Sequence, residues 1–234
     1  MAFFKIDNVK IAGISACVPP KQVENIDSIL IEDKKELEKY IETTGVKRRY
    51  IAEEGICSSD LCLEAAERLI EKLDWEKEEI ECLIFVSQTP DYIFPATACV
   101  LQDRLKLSSN CMSFDITMSC PGWIYGLSAI SPYDRVNLLA GDAGTATALE
   151  FNTSASPIIF DMHTDGSNFK SLIIPDGGYR NPVTKESFEY VMCKDDILRN
   201  RLQANMEGDS IFSFAVNTAP KEINARLSKL AVDK

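Results

Sequence analysis

No apolar run in the sequence approaches the roughly 18 residues that a membrane-spanning helix requires, so no membrane-spanning helix is expected in it. Lys5, Asp7 and Lys10 break up the first ten residues where a secretory signal needs an unbroken apolar core; the cytoplasm is the expected compartment and no membrane partner is expected. No Cys-x-x-Cys pair occurs among the eight cysteines, so neither a zinc knuckle nor a thioredoxin motif is present and no metal site is expected. Most of these cysteines should be buried reduced thiols. An excess of basic charge is missing too. With 25 Lys and Arg against 36 Asp and Glu, the net charge is −11, whereas a grip on nucleic acid phosphates runs on clustered cations. No nucleic acid partner is expected. Internal repeats and low-complexity tracts are also absent.

What is present describes a folding chain. Hydrophobic residues make up 45% and charged residues 26%, the proportions of a globular protein, and 234 residues can bury a core without disulfide or metal staples. From Ser58 to Leu73, Leu61, Cys62, Ala65, Ala66, Leu69, Ile70 and Leu73 share one helical face, with Ser58 as the expected cap and Asp60 in the first turn. Cys82–Val86 is a continuous apolar run, as expected of a strand buried on both faces. A helix over about Ala96–Leu105 follows, then an alternating strand at Met112, Phe114 and Ile116, then an apolar helix opened by Pro121 and running to Ile130. This alternation implies crossover units and a largely parallel sheet.

Later segments read differently. Thr145–Phe151, Ser156–Phe160 and Lys170–Ile174 are short strands spaced by turn residues, expected to form hairpins. Tyr179–Asp209 is polar and aperiodic, an excursion from the core. Phe212, Val216, Ala219, Ile223, Leu227 and Leu230 predict a closing amphipathic helix. The expected division is therefore 1–178, 179–209 and 210–234.

Chemistry concentrates at the junction Ser113-Phe-Asp-Ile-Thr-Met-Ser-Cys120-Pro-Gly-Trp-Ile-Tyr-Gly126. A strand ends there, and Cys120 lies at or just before the first turn of a helix, where unpaired N–H groups and the positive dipole end favour a thiolate. The same N–H groups can stabilise the oxyanion formed when a thioester is attacked. By position alone, a nucleophile and an inert core thiol remain equally open.

This junction resembles the active-site cysteine loop of β-ketoacyl-acyl-carrier-protein synthase III, a thiolase-fold condensing enzyme. Thr44-Gly-Val-Lys-Arg-Arg-Tyr-Ile-Ala52 resembles that family's Thr-Gly-Ile-x-x-Arg-x-Ile-Ala segment, and Phe94-Pro-Ala-Thr-Ala-Cys99 its Phe-Pro-x-x-Ala-Cys segment. Gly141-Asp-Ala-Gly144 is similar to its glycine-rich turn, and Thr164-Asp-Gly-Ser167 with Pro175-Asp-Gly-Gly178 to the hairpin pair after it. The resemblance runs in order from Asn8 onward. It implies an α/β thiolase-like fold, here mainly its N-terminal half with an inserted hairpin region and the start of a C-terminal half. Cys120 would accept an acyl group from a coenzyme A thioester, a substrate rather than a bound cofactor, and malonyl-acyl carrier protein would be the second substrate. Phe94 would line the acyl pocket of the partner in a homodimer, and Arg135 would contact the adenine end of coenzyme A. Lys47, in the basic Lys47-Arg48-Arg49 cluster, could meet coenzyme A phosphates or an acidic carrier protein; a solvated strand end explains it as well.

Departures from the pattern matter as much. The family's catalytic His in a His-Gln-Ala-Asn stretch and its second-half Asn have no counterpart; the single histidine, His163, matches a hairpin turn. A truncated or degenerate relative that only accepts an acyl group, or a non-catalytic partner subunit, are the alternative readings. Lys39 and Thr43 stand where well-known members carry Trp and Arg against the adenine. Ile130-Ser131-Pro132 joins the cysteine helix directly to Tyr133-Asp134-Arg135, where the family has a further strand. Leu138–Asp142 matches either that strand or the one entering the glycine turn. Losing an internal strand exposes two edges, so either the sheet closes by re-pairing its neighbours or the chain aggregates; the functional protein is expected to contain a strand between Ser131 and Pro132 that this sequence lacks, and the literal 234-residue chain to be poorly soluble.

Decarboxylating a malonyl thioester builds charge on an enolate oxygen, and each preorganised donor there accounts for a factor of about 10² to 10³ in rate. The 234-residue polypeptide by itself is therefore expected to release no carbon dioxide from malonyl-acyl carrier protein at a rate typical of the family. Trapping the released gas from labelled substrate measures this directly.

Overall fold

The computed structural model describes residues 2–27, 33–118, 120–129, 135–140, 143–164, 166–193 and 198–232. It divides into two compact units, Met1–Met162 and His163–Lys234. The first unit runs β1 (Ala2–Ile6), β2 (Val9–Cys17), β3 (Gln22–Glu24), α1 (Lys34–Thr44), β4 (Arg48–Tyr50), α2 (Ser58–Leu73), β5 (Cys82–Val86), α3 (Thr97–Arg104), β6 (Met112–Ile116), α4 (Gly122–Ala129), β7 (Arg135–Ala140), β8 (Gly144–Phe151) and β9 (Ile158–Met162).

A five-stranded sheet in the order β2-β8-β7-β5-β6 forms its centre. β5 pairs parallel to both β6 and β7, whereas β8 runs antiparallel to β7 and β2. Every residue of β5 is buried, because helices cover both of its faces. On one face Leu83 and Phe85 pack with Ala65, Ala66 and Leu69 of α2 and with Leu101 of α3. On the other, Cys82, Ile84 and Val86 pack with Leu127 of α4, Leu149 of β8 and Phe160 of β9. Burying each large side chain of this run contributes about 1.5–3 kcal/mol, an upper range for a strand with no wet face.

The helix and strand limits follow the apolar periodicity closely, and the cap of α2 is corrected. Cys57 rather than Ser58 holds the cap position, and Asp60 Oδ2 accepts its backbone N–H at 2.8 Å. The hairpin expectation is also corrected. β8 pairs with β2 and β7, and β9 pairs with the N-terminal β1, where Phe4 stacks on Phe160 at 5.2 Å between ring centroids. Turn residues show that a chain reverses; which strand it then meets is decided by apolar partners far away in sequence.

The sheet is not left open at the Ser131-Pro132 junction. β7 takes the place between β5 and β8 by the re-pairing that was the alternative to exposed edges, pairing Val86↔Ala140 on one side and Ala140↔Thr145 on the other. Residues 130–134 lie outside the described residues.

The second unit, taken by itself, holds β10 (Leu172–Ile173), β11 (Val191–Met192), β12 (Leu198–Arg199), β13 (Asn205–Met206), α5 (Gly208–Ser213) and α6 (Ala219–Val232). β10 pairs with β13 and β11 with β12, so the stretch expected to be an irregular excursion contains two-residue ladders. The Asp176 carboxylate accepts two hydrogen bonds from Arg201, both at 2.8 Å, and one from Ser187 Oγ at 2.8 Å. Arg201 holds the Asp176 carboxyl below its ordinary range. The expected closing helix forms as α5 and α6, joined by a π-helical stretch at Phe214–Thr218. Pro220 has no N–H to give the Val216 carbonyl, and the ladder widens just ahead of it.

Gly144 starts β8 where α2 presses its main chain against the sheet. A Cβ there would overlap the Leu61 carbonyl carbon and the Cys62 nitrogen, neither of which can rotate aside. Gly144→Ala should therefore lower stability by about 2–3 kcal/mol, read as a lower urea midpoint at unchanged slope.

Candidate active site

Three parallel strands, β5, β6 and β7, end at the same edge of the sheet, with Val86 opposite both Ile116 and Ala140. Carboxyl edges of parallel strands are where such sheets place ligands. The chain leaves β6 at Ile116 and enters α4 at Gly122, and Cys120 stands on that short bridge, exposed and with a free thiol. The Pro121 carbonyl accepts the Tyr125 N–H at 3.1 Å, the first bond of α4, so Pro121 caps the helix and Cys120 immediately precedes it. First-turn N–H groups of a helix have no acceptor within it, and Cys120 directly precedes them in the chain. Gly122 lets this helix start sit against β5, since a Cβ there would lie 2.6 Å from Val86 Cγ1.

The strand that delivers Cys120 is tied to the neighbouring helix. Asp115 Oδ2 accepts the Thr97 N–H at 2.8 Å and Oδ1 the Ala98 N–H at 2.7 Å, so one carboxylate of β6 satisfies the start of α3. Thr97 Oγ1 accepts the Asp91 N–H at 3.0 Å, and Asp91 Oδ2 accepts from Ser59 Oγ at 2.8 Å. These bonds pin both ends of the loop that carries Phe94. The loop tip is bare. Ile93 is 94% and Phe94 88% exposed, so Phe94 is not part of its own chain's core.

The remaining expected site residues stand elsewhere. Lys47 is exposed just ahead of β4, in the small β3–β4 sheet, where Arg49 donates to Asn25 Oδ1 at 2.7 Å and Arg48 lies 3.8 Å from Glu24. Thr43 spends its hydroxyl on the Lys39 carbonyl at 2.8 Å. Arg135 begins β7, its backbone opposite Glu150, so it marks the amino edge of the sheet while Cys120 follows the carboxyl edge. Its side chain lies outside the described residues, as do Ser119, Gly141 and Asp142. The structure thus brings the Cys120 bridge and the Phe94 loop to the ends of adjacent strands, and Arg135 not. Asp115, Thr97, Asp91 and Trp123 escaped the sequence reading. Alternation placed Asp115 on the polar side of its strand, but nothing in the sequence names the amides it accepts.

Burial separates the thiols. It pushes Cys62 and Cys82 from 9.0 up to about 12, and Cys111 upward as well. Cys57, Cys99 and Cys120 are exposed. Among the described residues, no group of His, Cys, Asp and Glu could hold a metal ion, and no helix is long and apolar enough to cross a membrane.

No family model matches the chain. A β-ketoacyl-[acyl-carrier-protein] synthase III from Aliarcobacter butzleri is 34% identical over 247 aligned positions, covering 93% of this chain and 70% of the relative. That span exceeds the 234 residues of the chain, so the relative carries residues opposite gaps in this one. The crystal structure of a 3-oxoacyl-(acyl-carrier-protein) synthase from Burkholderia xenovorans LB400 superposes with a TM-score of 0.84 at 33% identity, over 97% of this chain and 70% of that one. A solved 3-oxoacyl-(acyl-carrier-protein) synthase III gives 0.85 at 26% identity, over 96% and 74%. These likenesses show the α/β thiolase-like fold.

Cys120 should be the fastest thiol to react with limiting iodoacetamide near neutral pH, ahead of the other exposed cysteines, Cys57 and Cys99, with Cys62 and Cys82 unlabelled until the protein unfolds. Peptide mapping gives the order. The buried thiols also link stability to alkali: the unfolded chain loses these protons from about pH 9.0 and the folded one holds them to about 12, so stability should fall as pH rises through that window.

Proposed function

Because the chain belongs to the β-ketoacyl-acyl-carrier-protein synthase III family, we propose that it serves the condensation of an acyl group taken from a coenzyme A thioester with malonyl-acyl carrier protein, in fatty acid or related acyl-chain synthesis, its 234 residues supplying the acyl-accepting cysteine and not the family's decarboxylating His and Asn. The observation that carries this reading is the exposed Cys120 on the bridge from β6 into α4, at the carboxyl edge of the parallel strands. The Cys120 thiolate attacks the thioester carbonyl, the carbonyl electrons move onto oxygen, and their return expels the coenzyme A thiolate and leaves an acyl-cysteine. Loss of carbon dioxide from the malonyl unit then supplies a carbon nucleophile, which forms the new carbon–carbon bond at the acyl carbon and releases Cys120 as thiolate. The family of the relatives favours this condensation over a role as acyl acceptor alone or as non-catalytic partner.

Other parts of the reading are proposals on weaker support. Coenzyme A enters and leaves as substrate, with no permanently bound cofactor. Lys47 and Arg135 are its candidate contacts, Arg135 beginning β7 at the edge of the sheet opposite Cys120. A homodimer is supported by the bare Tyr92-Ile93-Phe94 tip, an apolar run that a second chain would shield from water. The cytoplasm is the proposed compartment, since charged residues break up the first ten positions where a secretory signal needs an apolar core.

Incubation with acetyl-coenzyme A should raise the intact mass by one acetyl group, mapped to Cys120 and absent from Cys120→Ser. An unmodified wild-type chain, or an acetyl group on another residue, overturns the assignment.

A further inference from the structure

We propose that Trp123 is a positioning residue for Cys120, its indole N–H fixing the start of α4 on the sheet through the Thr147 hydroxyl; this rests on the reading of Cys120 as the acyl-accepting thiol. The bond runs from Trp123 Nε1 to Thr147 Oγ1 at 3.2 Å, and Thr147, in the middle of β8, is 2% exposed.

The need for such a bond comes from the composition of α4. This helix is two turns long, and its buried residues are Gly122, Gly126 and Leu127. The glycines allow close approach but offer no side chain that could resist rotation of the helix about its own axis. Leu127 packs on the sheet without directional preference, as apolar contacts do. A hydrogen bond is directional, and one made to a buried hydroxyl has no water to replace it. On the other side of Cys120, Asp115 already fixes β6 to α3. Trp123 and Ala129 also pack, half-buried, against the cluster around Leu127, but the Trp123 hydrogen bond is the directional contact of α4 with the sheet; the thiol therefore stands on a bridge whose strand end is held by Asp115 and whose helix end is oriented by Trp123.

Acylation by acetyl-coenzyme A, followed by rapid quenching and intact mass, separates the limiting rate from the half-saturating thioester concentration. Trp123→Phe and Thr147→Val should each lower the limiting rate about three- to tenfold with half-saturation unchanged, and the double variant should be no slower than the slower single one. Thr147→Ser, which keeps the hydroxyl, should restore the wild-type rate. Cys62 must stay unlabelled by iodoacetamide throughout, which shows that the fold persists. Unchanged rates, a change in half-saturation alone, or losses that add in the double variant overturn the proposal. If the wild-type chain takes no acyl group, the functional reading fails, and hydrogen exchange of the α4 amides judges the positioning: faster exchange in Thr147→Val supports it, and unchanged exchange overturns it.

Discussion

The first unit depends on keeping Cys82–Val86 dry on both faces. A strand with no wet side needs a layer above and a layer below, and neighbours that satisfy its backbone groups in both directions. α2 and α3 supply one layer and α4 part of the other, while β6 and β7 supply the ladders. Parallel neighbours require crossovers, and crossovers put every strand-to-helix turn at one edge. Cys120 stands at such a turn, so its placement beside the Phe94 loop follows from burying five apolar residues.

Much of this was legible in the sequence because it is written in local periodicity. The α2 face, the β5 run and the strand-to-helix change around Cys120 each occupy one contiguous stretch, and the structure reproduces their limits within a residue or two. What the sequence left unread depends on distant partners. No pattern around Asp115 names the amides of Thr97 and Ala98, and none near Ile158–Met162 points to the N-terminal strand. Trp123 read as one more apolar residue of a helix, because only the folded sheet brings Thr147 within reach of its ring nitrogen.

The place between β5 and β8 shows physical necessity at work in the sheet. The position between β5 and β8 is filled by Arg135–Ala140. An unpaired internal edge costs more than recruiting the next stretch able to extend, and Val136, Leu138 and Leu139 are residues a strand accepts. Of Leu138–Asp142, the described residues Leu138–Ala140 lie in that ladder, paired with both β5 and β8.

Gly144 and Gly122 fix a dimension of the molecule. At Gly144 the α2 main chain meets β8 with no side chain in between, so the separation of the layers there is set by main-chain bulk, whereas at Gly122 the helix start rests on the Val86 side chain of β5. Packing elsewhere in the core can drift, exchanging Leu for Met or Ile for Val, without altering that clearance. The clearance between α2 and the sheet at Gly144 is therefore insulated from ordinary sequence change in the interior, and tolerance to mutation and a fixed layer spacing can coexist in one small domain.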